Sequence, residues 1–186
     1  MELVQGPALE LFGPGQTWEL YRRSFPRRRR PGAGQQAMSR DEFVAVMADP
    51  RYSGLGLVER TAVDPLVGLA ALTADPQAIP PAARRLVEPV WPEHLATGRL
   101  WFVRFLVVDP AYEDTTAATH LAGGIWTRAV ADGGVVTVDT TAFNDTAVRL
   151  PSALFHLARS IAPRTTLRRV DDEGLWAYEF PEPVPV

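Results

Sequence analysis

Side chains able to do acid–base or ionic chemistry fall in a few short segments. Glu93 and His94 are neighbours in Trp91-Pro92-Glu93-His94, and either can take a proton from an amine as a general base. The plainer reading of the pair is a surface loop. Arg104 stands alone inside the apolar run Leu100–Val108. A buried arginine needs an anionic partner, here a substrate carboxylate or a structural ion pair. Arg22, Arg23, Arg27, Arg28, Arg29 and Arg30 crowd one stretch. Forked guanidinium groups suit carboxylates and phosphates, so the cluster fits an acidic small molecule, an acidic carrier protein or RNA, or else a solvated loop. No aromatic residue interleaves within Arg27–Arg30, as single-strand binding would want. Thr115 and Thr116 offer hydroxyls at a helix start, either to an anion or as an N-cap.

Composition removes other chemistries. There is no cysteine, hence no disulfide, thiolate metal site or cysteine nucleophile. All 19 basic residues are arginine, which excludes a lysine Schiff base and is explained by GC-rich coding. His94, His120 and His156 are far apart, so no zinc set is expected and no metal ligands are assigned, though carboxylates can hold magnesium or calcium. His120 and His156 read as structural. A net charge of −3 gives the chain no overall pull toward nucleic acid or anionic membrane. No apolar run approaches the ~20 residues of a membrane span. The first residues lack the basic start and long apolar stretch of a signal peptide. A cytoplasmic protein is expected.

Apart from the acidic, basic and hydroxyl groups, the pattern is that of a folded core. With 186 residues, 46% apolar and 22% charged, one domain over 1–186 is expected. Residues 16–25 read as a helix with Trp18, Tyr21 and Phe25 on one face, ended by Pro26. A flexible basic Gly/Pro loop follows over 26–37. Ser39 and Glu42 form a capping box for a helix that closes at Asp49-Pro50. Residues 55–73 read as a hairpin turning at Asp64-Pro65, and 75–98 as a Pro-rich insertion with one short helix. The strand 100–108 reads as central and buried on both faces. A helix over 115–131 is weakened by ~1 kcal/mol at each of Gly123 and Gly124 and stops at Asp132-Gly133-Gly134. A strand from Val135 comes next. A helix capped by Asn144 or Asp145 reaches Ile161, with Pro151 kinking it or starting its main part. A last hairpin turns within 171–174, and 181–186 form an extended tail. A short first strand lies within 2–11. Strand–helix–strand units together with hairpins make a mixed α/β sheet.

This order resembles the GNAT superfamily of acyltransferases over residues 2–180. The run ending in Val108, Pro110 and Tyr112 is similar to the family's fourth strand and its Val-x-Pro-x-Tyr. Asn144, Ala147 and Leu150 match the Asn-x-x-Ala-x-x-Leu after the fifth strand. The resemblance implies a mixed sheet with a V-shaped splay between the fourth and fifth strands and helices on both faces. It implies no permanently bound cofactor, and an acyl-CoA or phosphopantetheine thioester as cosubstrate. The pantetheine arm would lie on Leu106, Val107 and Val108 near Tyr112. The pyrophosphate would sit on Thr115, Thr116, Ala117 and Ala118, at a helix N-terminus where free N–H groups favour anions. Glu93, His94 and Asn144 are the implied catalytic set, and Arg27, Arg28 and Arg104 the acceptor-binding set.

Two positions depart from the family pattern. Glu113-Asp114-Thr115-Thr116 replaces a cationic, glycine-rich phosphate loop, so phosphates meet repulsion there. Pro151 replaces a tyrosine that protonates the leaving thiolate. The expected function is direct acyl transfer from a CoA or carrier-protein thioester to an amine or hydroxyl of a small-molecule acceptor. An acyl carrier protein and a second copy of the chain are the implied protein partners. The alternatives are a disabled GNAT fold used for binding or regulation, and a different enzyme, such as a decarboxylase or cyclase, reusing the cleft.

Overall fold

Short connections make most neighbours in sequence neighbours in space. The computed structural model describes residues 1–6, 10, 12–24, 37–113, 115–140, 149–172 and 174–181. Among them β1 (Glu2–Gln5), β2 (Ser53–Val58), β3 (Leu66–Thr73), β4 (Leu100–Val108), β5 (Val135–Asp139), β6 (Thr166–Arg169) and β7 (Leu175–Glu179) form a sheet in the order β1-β2-β3-β4-β5-β7-β6. β4 and β5 are parallel and the other neighbouring pairs are antiparallel. A parallel pair needs a crossover, which α5 (Ala117–Ala131) supplies.

Helices cover both faces, as expected of the mixed α/β sheet. Leu121, Ile125 and Trp126 of α5, with Leu154 and Ala158 of α6 (Leu150–Ile161), share one core with Leu55, Leu57, Val103 and Val136. On the opposite face α1 (Gly13–Ser24) and α2 (Arg40–Ala48) set Leu20, Tyr21 and Phe43 on Leu69, Phe105 and Val107. The Pro-rich insertion forms two short helices rather than one, α3 (Pro81–Val87) and α4 (Pro92–Ala96). They cover the rest of that second face over Leu100, Phe102, Val135 and Ala177.

Local sequence chemistry accounts for the boundaries. The Ser39 hydroxyl accepts the Glu42 N–H at 3.3 Å, and the Glu42 carboxylate accepts the Ser39 N–H at 2.7 Å, completing the capping box of α2. Pro151 falls in the first turn of α6, where its missing N–H costs no helical bond, so it starts that helix rather than kinking it. Asn144, Asp145 and Phe25 lie outside the described residues. Helix α5 runs unbroken through Gly123-Gly124, and a Cβ at Gly124 would stand 2.8 Å from Leu3 Cδ1 of β1.

Candidate functional site

The ladder between β4 and β5 runs only from Leu100↔Val135 to Val103↔Val138. β4 continues through Arg104–Val108 in register with β3, ending at Gly68↔Val108. β5 instead stays with β7, pairing Asp139 with Leu175. Beyond it the Thr140 N–H and hydroxyl both donate to the Gly174 carbonyl at 3.0 Å. Gly174 holds φ +119°, and a Cβ there would meet the Thr140 carbonyl oxygen at 2.4 Å, so the approach needs glycine. Each strand follows its outer neighbour, and the parallel pair parts after Val103.

The parting coincides with a β-bulge. Ala71 pairs with Phe105 and Leu72 with Val103, which leaves Arg104 as an extra residue. Side chains record the same phase change. Trp101 and Val103 pack on the α5 side, Phe105 and Val107 on the α1–α2 side, and Leu106 and Val108 on the α5 side again. The Asp109 N–H donates to the Val67 carbonyl at 2.8 Å. Strand backbone alternates in direction, so Val107 turns its N–H and C=O to β3 as well, while Leu106 and Val108 turn theirs into the opening.

Charge holds the rim. Arg23 donates to Asp64 at 2.6 Å and reaches Asp109 at 2.7 Å, tying α1 to the β2–β3 turn and to the end of β4. Burial alone would raise the Asp64 carboxyl; hydrogen bonds from Gln16 and Arg23, with the Arg23 charge, outweigh this and lower it. Asp109 also accepts the Ala111 N–H at 2.9 Å and opens a 3-10 turn, Pro110–Tyr112, that leads toward α5. There the Thr115 hydroxyl accepts the Ala117 N–H at 3.1 Å and donates to the Tyr112 carbonyl at 2.7 Å. Thr115 is therefore spent on capping. Thr116 is exposed and makes no cap bond, Ala117 is buried, and Ala118 and Tyr112 are half-buried.

On the α1–α2 face Arg104 lines an open cleft of about 260 Å³ beside Val46, Tyr52, Gln77 and Pro80. It is half-buried and makes no ion pair or hydrogen bond with any described residue. Its charge acts only at longer range, on Glu42, Tyr21 and Tyr52. The structural ion pair that the sequence left open is absent among the described residues. The Tyr52 hydroxyl donates to the Ala78 carbonyl at 2.5 Å, and burial raises its pKa above the ordinary phenol value.

Asp49 and Arg51 border the same cleft and are paired with one another. Asp49 accepts the Arg51 Nε at 2.9 Å and its terminal nitrogen at 2.6 Å, and also the Arg51 backbone N–H at 3.0 Å. These bonds lower the Asp49 carboxyl from 3.8 to about 2. A lowered folded-state value means that the pair's support is complete above pH 3.8 and is lost as pH falls through about 2. A carboxyl-detected NMR titration of Asp49 is expected to show a midpoint near 2, returning toward 3.8 in Arg51→Gln.

The structure thus brings Leu106, Val108, Tyr112, Thr115, Thr116, Ala117 and Ala118 to one end of the sheet, with Val107 facing β3. Arg104 sits at the root of the opening. Glu93, exposed, and His94, half-buried, lie on α4 just before Leu100. Four residues separate Leu100 from Arg104, about 13 Å of strand, so the pair stands at the laddered end, away from the opening. Asn144, Arg27 and Arg28 lie outside the described residues. Tyr52, Gln77 and the Asp49–Arg51 pair escaped sequence reasoning. Their one signal was Asp49-Pro50, which read only as a helix stop. Among the described residues no three His, Asp or Glu side chains gather as a metal site, and no helix is long and apolar enough to cross a membrane.

No family model matches the chain, and neither does any curated protein sequence. Solved structures do match. An N-acetyltransferase from Staphylococcus aureus Mu50 is 13% identical over 96% of this chain and 95% of that one, with a TM-score of 0.54. The ribosomal-protein-S18-alanine N-acetyltransferase from Escherichia coli is 13% identical over 95% and 89%, with a TM-score of 0.51. An aminoglycoside 6'-N-acetyltransferase complexed with coenzyme A is 14% identical over 100% of both chains, with a TM-score of 0.53. Likeness at such identities is one of fold. Strand order, the parallel β4–β5 pair that parts at a bulge, and these neighbours together give this chain the GNAT fold.

Proposed function

We propose that the protein is an acyltransferase. It moves an acyl group from a pantetheine thioester, on coenzyme A or on an acyl carrier protein, directly to an amine or hydroxyl of a small acceptor. The carrying observation is the main chain of Leu106 and Val108, which has no strand partner on the β5 side among the described residues. An extended pantetheine arm would pair there as a strand does. One of the two N–H groups would support the carbonyl oxygen as it gains negative charge. The acceptor's nitrogen or oxygen forms the new bond to the carbonyl carbon and gives its proton to solvent. The C–S bond breaks, and the thiolate, whose acid has a pKa of ~8.5, leaves and is protonated from solvent. Neighbours of the same fold are acetyltransferases, one of them complexed with coenzyme A, which supports the reading.

Glu113 stands exposed beside the first turn of α5, where a nucleotide's phosphates would lie. Pantetheine itself should therefore carry most of the affinity, whichever carrier delivers it. The test is thermal unfolding with acetyl-CoA, acetyl-pantetheine and an acetylated carrier protein. A ligand at ~100 times its dissociation constant adds ~2.7 kcal/mol to stability. All three are expected to stabilise, with coenzyme A no better than pantetheine. Silence from all three would end the proposal.

A second reading has one observation of its own. Pro151 is buried, and its carbonyl accepts the Tyr178 hydroxyl at 3.1 Å, so the family's proton donor is replaced by packed structure. Stabilisation by the thioester compounds without transfer to any amine would select a binding protein on this fold.

A further inference from the structure

We infer that the cleft at Arg104 recognises the carboxylate of a small organic acid. If the chain is an acyltransferase, that acid is its acceptor. Only the word acceptor rests on that reading; the binding step does not.

The bulge carries the argument. Had β4 alternated strictly from Val103, residue 104 would pair with β3 in an ordinary rung. As the extra residue it stands beside Phe105 and lines the 260 Å³ cleft. A half-buried arginine loses hydration and ordinarily recovers it from a carboxylate. Arg104 has no such partner among the described residues. The acidic groups nearby are engaged: Asp49 accepts four hydrogen bonds from Arg51, and Glu42 closes the capping box with Ser39. Among the described residues no carboxylate pairs with the Arg104 charge at the cleft.

The lining completes a fit to an acid of a particular kind. Val46 and Pro80 offer apolar walls to a short carbon body. The Tyr52 hydroxyl donates its hydrogen bond to the Ala78 carbonyl, and its lone pairs can accept from an ammonium or hydroxyl on the same ligand. The guanidinium fork takes a carboxylate through two parallel bonds, which a primary amide cannot match. Two residues beyond Arg104, about 7 Å along the strand, the Leu106 main chain faces the opening. That distance is the span an acceptor held at Arg104 would bridge to reach the proposed thioester.

The experiment pairs acids with their amides. Propionate, benzoate, phenylacetate and 4-aminobutyrate are each titrated beside the corresponding primary amide, by ligand-observed NMR and calorimetry, with no thioester present. At least one acid is expected to bind tenfold or more tightly than its amide. That preference should disappear in Arg104→Gln and be partly kept in Arg104→Lys, which retains charge without the fork. Acids and amides binding alike in every pair, or not binding at all, would overturn the inference. So would an undiminished preference in folded Arg104→Gln. If that variant does not fold, the comparison on the unaltered protein still decides. Acids bound through Arg104 with no response to any thioester would leave this inference standing and remove the transferase reading; the reverse pattern would do the opposite.

Discussion

Trp126→Ala is expected to lower the unfolding free energy by about 4 kcal/mol, within the range for deleting a large buried aromatic. The indole is 1% exposed and lies where α5 meets β7, with ring centroids 4.8 Å from Tyr178 and 6.0 Å from Phe180. For a chain of this length the loss should appear as a fall of roughly 12 °C in melting temperature. Trp126→Phe should behave quite differently. The Trp126 Nε1–H is buried and finds no hydrogen-bond partner among the described residues. Removing an unpaired buried donor recovers a desolvation cost of ~1–3 kcal/mol, which offsets most of the lost ring area. Chemical denaturation against the unaltered protein checks this: a Trp126→Phe loss well above ~1 kcal/mol would mean that the indole N–H is satisfied in solution.

The second large effect is a contrast between adjacent prolines. Val108→Pro removes an N–H that faces the opening, at the last residue of β4, where the β3 ladder does not use it. Affinity for coenzyme A or pantetheine is expected to fall about tenfold, the worth of ~1.4 kcal/mol, with little change in melting temperature. Val107→Pro removes an N–H turned toward β3 in the middle of the sheet, and should cost ~3 kcal/mol or more of stability. Calorimetry and thermal melts on both variants test the backbone parity assigned here. If Val108→Pro unfolds the protein as badly as Val107→Pro, Val108 is laddered and the opening closes there.

The order and kinds of elements were legible because their signals are local. Ser39 with Glu42, the apolar run from Leu100 to Val108 and the stop at Asp132-Gly133 each act within a few residues, and each element forms where the pattern places it. Strand order was not legible in the same way. That β7 inserts between β5 and β6 rests on pairings far apart in sequence, from Val135↔Glu179 to Asp139↔Leu175, continued by the contact between Thr140 and Gly174. The site was legible in part. Its main-chain wall follows from the likeness of the Val108–Tyr112 segment to a known fold, and the structure places those residues together at one end of the sheet. The acid–base pair Glu93–His94 was read from residue type alone, which says nothing about which end of β4 the preceding helix occupies. Arg104 stood out as a charge among apolar residues. The cleft it enters is built by Tyr52 and Gln77, whose relation to β4 is purely three-dimensional.

One surplus residue sets which amides border this opening. A periodic strand that gains a single unit at Arg104 carries inverted parity from there onward, like a wave shifted by half a period. Were Arg104 laddered in an ordinary rung instead, Phe105 and Val107 would point at the crossover helix, and a different set of amides would border the opening. Register at one point, rather than the identity of any one side chain, decides which main-chain groups an incoming molecule meets.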